Sequence, residues 1–203
     1  MSYFPFFMDL EGQEGLVIGG GSVALRKVEK LRPYGAKLTV IAPKILPKLK
    51  ETEEISCMEI SFTPTALEGK MFVIAASDDP EVNREAALLC RERGILVNVV
   101  DDKEECSFLF PALVKRGELS VGISTGGASP SAAVYVKERI NELLPENFGE
   151  IVEELAELRP LVLERPAGER GSIFKALFAR RLTSLTPLTE ETLQTILGGE
   201  EDL

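Results

Sequence analysis

Three consecutive glycines, Gly19, Gly20 and Gly21, separate an apolar run, Leu16-Val17-Ile18, from a stretch with helical spacing, Ser22 to Leu31. This cluster constrains the fold more than any other feature of the chain. Glycine pays the largest entropic cost on folding, so three in a row imply backbone approaches that side chains would block. Between a strand and a helix, the pattern Gly19-x-Gly21-x-x-Ala24 is a dinucleotide-binding fingerprint. Gly19 permits the tight turn, Gly21 lets the backbone approach a pyrophosphate, and Ala24 allows close helix packing. Gly19, Gly20, Gly21, Ser22 and Val23 are therefore the expected phosphate cradle, with the amides of the helix start facing the ligand.

The surrounding sequence repeats the same grammar. "GLVI" (15–18), "KLTVI" (37–41), "ISCMEI" (55–60), "MFVIAAS" (71–77) and "ILVNVV" (95–100) alternate with helix-patterned stretches, which is the signature of βαβ units and a parallel sheet. After Asp101 the rhythm changes. "SFLFPALVKRGELSVGIS" (107–124) reads as two strands around Arg116-Gly117-Glu118, and "SPSAAVYVKERINELL" (129–144) opens with Ser129 as N-cap and Pro130 at the first helical position. From Pro145 onward the pattern is helical, broken at "RPAGERGS" (165–172) and "TPLTEE" (186–191). The expected class is α/β: a Rossmann-like, mostly parallel sheet over residues 1–113, a small α+β region over 114–145, and a helical C-terminal domain over 146–203.

Composition removes several functions. The chain contains no histidine, so imidazole serves neither as general base nor as metal ligand; no metal site is expected. Cys57, Cys90 and Cys106 are odd in number and lack paired spacing, which indicates neither disulfides nor zinc. A net charge of −10 argues against broad nucleic-acid binding. The longest apolar run outside the glycine loop, Phe108 to Val114, falls far short of the roughly 18 residues of a membrane span. The N-terminus lacks the pattern of a signal peptide, so the expected location is cytoplasmic. One local exception to the acidity is a basic island, Arg165 to Arg181, whose five cations face a single carboxylate, Glu169.

Read together, "VIGGGSVALRK" (17–27), "GAKLTVIAP" (35–43), "IAASDDPEVN" (74–83), "VNVVDD" (97–102), "SFLFPAL" (107–113) and "ISTGGASP" (123–130) resemble the precorrin-2 dehydrogenase and sirohydrochlorin ferrochelatase family, in family order. "AGERGSIFKALFARRL" (167–182) resembles the family's helical tail. The resemblance implies oxidation of precorrin-2 to sirohydrochlorin with NAD as hydride acceptor. In some members ferrous iron is then inserted as a second substrate. It also implies a homodimer formed largely through the 114–145 region. A chain ending at Leu203 carries no methyltransferase module, so precorrin-2 is expected from another protein. The alternative is a non-enzymatic NAD(H)-sensing regulatory protein.

Individual residues follow from these readings. The resemblance ties catalysis to the aspartate closing the "NVVD" stretch, here Asp101. A carboxylate at the carboxyl end of a sheet strand also lies where open α/β sheets bind ligands. As a proton acceptor it needs burial to lift its pKa from about 3.9 toward neutrality; the other reading is a turn-capping aspartate. Asp102, alternating along the strand, points the other way. A ribose-binding carboxylate is missing about 20 residues past the glycines, where Ala42, Pro43 and Lys44 stand. Pro43, Lys44 and Ala76 are nevertheless expected along the cofactor, and NAD is preferred over NADP. Asn98 orients ligand or supports a loop. Asp79 caps the helix beginning at Pro80. Thr125, Gly126, Gly127 and Ser129 are the expected site for a tetrapyrrole carboxylate, or simply a loop leading into a helix. Cys57 and Cys90 are expected in the core, with Cys106 near the site. The basic island is either a solvated helix face or a recognition surface.

Overall fold

Each apolar run of the first half becomes a strand: β1 (Glu14–Ile18), β2 (Lys37–Ile41), β3 (Ile55–Met58), β4 (Phe72–Ala75) and β5 (Leu96–Val99). The computed structural model describes residues 3–198. The strands are all parallel in the order β3-β2-β1-β4-β5. Side chains alternate across a pleated sheet, and here both faces are covered, so both sets are apolar. Val17, Val40, Phe72 and Ile74 pack with Ala24, Val28 and Leu31 of α1 (Ser22–Leu31). Leu16, Ile18, Ile41, Val73, Ala75, Val97 and Val99 pack with Ala86, Ala87 and Cys90 of α3 (Pro80–Arg93). A one-turn helix, α2 (Pro47–Lys50), follows β2 and buries Leu49. The chain runs outward from β1 through β2 to β3, then returns to place β4 and β5 on the other side of β1. That reversal is a topological switch point at the carboxyl ends of β1 and β4, where such sheets take their ligands.

Residues through Phe110 form one contact unit and those from Pro111 a second. The second begins with the antiparallel hairpin β6 (Ala112–Arg116) and β7 (Leu119–Ile123), turning at Gly117 with φ +51°. Four helices follow: α4 (Pro130–Leu143), α5 (Phe148–Leu163), α6 (Ala167–Thr183) and α7 (Glu190–Gly198). The break expected over 165–172 narrows to Glu164–Pro166, because α6 starts at Ala167 and carries Gly168 and Gly171 inside it. Leu158, Val162, Ile173, Leu177, Leu188 and Leu193 form the core of these helices. Among the described residues, no helix is long and apolar enough to cross a membrane.

Arg181 of the basic island is 3% exposed and belongs to this core. Its guanidinium donates to both carboxylate oxygens of Glu154, at 2.9 and 3.1 Å, and to the Ser184 carbonyl at 2.9 Å. Glu154 also accepts the Leu188 amide at 2.9 Å. One cation of the island therefore ties α5, α6 and the segment leading to α7 together.

Candidate active site

The three glycines do three different things. Gly19 has φ +125°, donates its amide to the Ile41 carbonyl at 2.8 Å, and would place a Cβ 2.2 Å from the Ala76 carbonyl oxygen. Gly20 would place one 2.2 Å from the Lys44 carbonyl oxygen, and its own carbonyl accepts the Leu46 amide at 2.9 Å. These two glycines let the loops after β1, β2 and β4 meet backbone to backbone. Gly21 has neither constraint: its backbone is extended, with φ −89° and ψ −170°, and a Cβ there would meet nothing within 4 Å. It is also the N-cap of α1, and no side chain caps that helix. Open space therefore faces the first amides of α1, with exposed Ser22 and half-buried Val23 beside it. Ala24 is fully buried beneath, as the fingerprint requires. This arrangement fits the phosphates of a dinucleotide.

The flanking loops are fixed by their own hydrogen bonds. Ala76 donates to the Ile18 carbonyl at 2.7 Å, and the next residue, Ser77, exchanges bonds with the Asn83 amide at 3.0 and 2.9 Å. Asp79 accepts the Glu81 amide at 2.9 Å and caps α3. On the β2 side, Pro43 and Lys44 are exposed. A carboxylate not anticipated from the sequence adjoins this loop. Glu59, just past β3, accepts the Ile45 amide at 3.2 Å and pairs with Lys50 at 2.9 Å. The hydrogen bond from Lys50, with help from the Ile45 amide, holds its carboxyl below the usual range.

The carboxyl end of β5 holds the second half of the site. Asn98 is buried, with Oδ1 accepting from Lys27 Nζ at 3.1 Å and Nδ2 donating to the Phe108 carbonyl at 3.0 Å and toward Cys106 Sγ at 3.4 Å. Of its two anticipated roles, the loop-supporting one is thus formed. The Cys106 thiol reaches the Val99 and Asp102 carbonyls at 3.2 and 3.1 Å, and burial pushes its pKa up. It acts as a hydrogen-bonding strut for the turn. Cys57 is half-buried against the Leu49 carbonyl, and Cys90 lies in the core, its pKa pushed up to about 11 by burial.

Two expectations about Asp101 are corrected here. β5 ends at Val99, so Asp101 lies in a turn and the alternation argued for Asp101 and Asp102 does not apply. Asp101 is also exposed rather than buried, and it has φ +60°, a left-handed conformation uncommon for a residue with a Cβ. The last ladder bond of β5 runs from the Val100 amide to the Ala75 carbonyl, and Cys106 and Ser107 fold back along the other edge of the strand. Asp102 is half-buried, and its carboxylate faces the Glu105 amide at 3.4 Å.

Lys27 was not anticipated as a site residue. It stands six residues past Gly21 on α1, and its Nζ lies 3.8 Å from the centroid of the Phe110 ring as well as on Asn98. The signal was present, since Lys27 falls on the helical stripe of Ala24, Val28 and Leu31, the buried residues of α1. Its partners, however, come from residues 71 and more positions away.

In the other unit, the loop before α4 closes on itself. Thr125 Oγ1 accepts the Ser129 amide at 3.1 Å and donates to the Ser129 carbonyl at 3.0 Å, while Ser129 Oγ caps the Ala132 amide at 3.2 Å. Gly126 and Gly127 supply the positive φ angles of that turn, +62° and +80°. Among the described residues, no group of three His, Cys, Asp or Glu side chains is arranged to hold a metal ion.

Residues 6–112 match the family described as NAD(P)-binding, and residues 116–143 match the one described as sirohaem biosynthesis protein central. The whole chain is 36% identical to a siroheme synthase of Nitrosococcus oceani, covering 42% of that protein. It is 38% identical to siroheme synthase 1 of Pectobacterium atrosepticum, covering 44%. The chain thus spans less than half the length of these relatives. A solved structure named SirC, precorrin-2 dehydrogenase, aligns with a TM-score of 0.76 and 25% identity over 97% of this chain and 98% of that one. The NAD(P)-binding match covers more than half of the chain, so the protein belongs to that NAD(P)-binding family, and it is similar to siroheme synthases and to a precorrin-2 dehydrogenase.

Proposed function

We propose that this protein oxidises precorrin-2 to sirohydrochlorin with NAD as the acceptor. The observation that carries the reading is the end-to-end likeness to the structure named precorrin-2 dehydrogenase, which covers nearly all of both chains. When bound, NAD supplies a site for the hydride. The remaining tasks fall to the chain itself. The open backbone at Gly21 and the uncapped start of α1 receive the phosphates. Ala76, Pro43 and Lys44 border the rest of the cofactor. Removing a hydride from the reduced macrocycle leaves a proton to be taken, and the Asp101 carboxylate is the acceptor. It stands in a left-handed turn just past β5, and its exposure leaves it accessible.

Substrate carboxylates are assigned to the loop of Thr125, Gly126, Gly127 and Ser129, whose hydroxyls and glycines shape the approach to α4. Asn98 acts by holding the β5 end. The protein is assigned to the cytoplasm as a homodimer. Val134, Tyr135 and Val136 of α4, all exposed, are the apolar surface offered to a second copy. Ferrous iron, where inserted, is a further substrate, and the displaced pyrrole protons fall to the same carboxylate.

The test is anaerobic conversion of precorrin-2, followed spectroscopically with NAD or NADP. Turnover is expected with NAD and faster than with NADP. Asp101→Asn is expected to lower it by about 100-fold or more, the scale of lost acid–base catalysis, while leaving NAD affinity unchanged. Binding of the nucleotide with no oxidation by the wild-type protein would favour the sensing role instead. Full activity in Asp101→Asn would remove this residue from the chemistry. Iron insertion is followed in the same samples.

A further inference from the structure

The end of β5 contains a cation that the fold has gone out of its way to place. Lys27 reaches from the middle of α1 to Asn98, wedged between that amide and the face of the Phe110 ring. An ammonium is attracted to the negative face of an aromatic ring, and more strongly where water is excluded. Asn98 is itself bound to the Phe108 carbonyl, so the lysine, the amide and the 108–110 segment form one connected brace. The brace ends three residues before the left-handed Asp101.

We propose that Lys27 is a positioning residue: its ammonium, seated on Phe110 and Asn98, holds the turn that presents Asp101, and does so only while it carries its charge. This rests on the assignment of Asp101 above. The groups facing Lys27 come from three elements. Arg26 and Lys30 are cations of its own helix, Asn98 is its neutral contact on β5, and Cys106, Asp101 and Phe110 belong to the segment after β5. Burial, with the Lys30 charge adding to it, brings the Lys27 pKa down from its ordinary value to about 8, against the opposing pull of Cys106 and Asp101. Below about pH 8 the side chain is charged; above it, both the ring attraction and the pull on the Asp101 carboxylate are lost. Turnover should therefore fall as pH rises through about 8.

The experiment measures kcat and KM for precorrin-2 between pH 6.5 and about 9.5, together with NAD affinity, for wild type, Lys27→Met and Lys27→Arg. In Lys27→Met, kcat is expected to drop at least about tenfold at pH 7, the scale of a misplaced reacting group, with KM and NAD affinity within about threefold of wild type. The alkaline fall should disappear. Lys27→Arg keeps a charge that does not titrate in this range, so it should retain most of kcat and carry it past the wild-type limb. A folded Lys27→Met with wild-type kcat and the same alkaline limb would overturn the proposal. So would a raised KM at unchanged kcat, which would mark a direct contact with substrate carboxylates. Should Lys27→Met fail to fold, an unchanged alkaline limb in Lys27→Arg would overturn it. Asp101→Asn, run alongside, separates the two assignments. If that variant is inactive and Lys27→Met is normal, only the positioning role fails; if that variant is active, the Asp101 assignment fails first.

Discussion

Gly19 and Gly21 differ by two positions and should respond to substitution in opposite ways. At Gly19 an alanine Cβ would sit 2.2 Å from the Ala76 carbonyl on a φ of +125°; neither the contact nor the angle suits an L side chain. At Gly21 the backbone is extended and the space is open. Gly21→Val is therefore expected to fold, with a melting temperature lowered by no more than about 4 °C, the scale of an aliphatic residue at a helix N-cap. It should weaken NAD binding at least about tenfold, because the isopropyl group fills the space in front of the α1 amides. Gly19→Ala should lose stability first and binding only as a consequence. Thermal melts and nucleotide titration of the two variants check both statements. Unchanged NAD affinity in a folded Gly21→Val would move the phosphates elsewhere. Both positions were legible as glycines with a purpose. Gly19 was legible as the tight turn and Gly21 as the open approach; which backbone Gly19 meets was not, because that depends on where the loop after β4 comes to rest.

At the scale of elements, the strand-to-loop junctions on the carboxyl side of the sheet carry the proposed chemistry, and the helices of the second unit carry stability. The basic island divides along that line. Arg181 is enclosed by Glu154, the Ser184 carbonyl and the packed faces of α5 and α6, with Glu150 at 3.7 Å. Removing Glu154 leaves the buried guanidinium with only the exposed Glu150, 3.7 Å away, as a carboxylate partner. Glu154→Ala is expected to lower the melting temperature by on the order of 5 °C or more while leaving NAD affinity intact. Calorimetry and titration of the same sample distinguish this from a recognition role, which would spare stability. Arg165 and Arg170, by contrast, are joined locally through the Arg165 carbonyl at 2.8 Å. A count of charges does not separate these two environments. Helical periodicity comes closer, because Arg181 lies four residues beyond the buried Leu177 on the same face.

At the scale of the whole molecule, the exposed apolar side chains of α4 are the surface that the proposed homodimer would use. Val134→Glu combined with Val136→Glu is expected to convert a dimer to a monomer in sedimentation at micromolar concentration, since it buries like charges against each other in a two-fold interface. A wild-type protein that sediments as a monomer would withdraw that surface from assembly. What the sequence by itself determined is the class of the fold and the place of its glycine loop between β1 and α1. Strand alternation, helix caps and the placement of glycine are local properties, written within a few residues of where they act. Asp79 as the cap of α3 and Ser129 as the cap of α4 were legible for that reason. Only the tertiary structure decided what depends on residues distant in the chain. β5 ends at Val99 with Cys106 and Ser107 folded back along its open edge, and Asp101 sits in an exposed, left-handed turn rather than at a buried strand end. Lys27 becomes part of the site only when α1 brings it across the sheet to Asn98 and Phe110. Contact energies of that kind arise from packing between elements, and no window along the chain contains both partners.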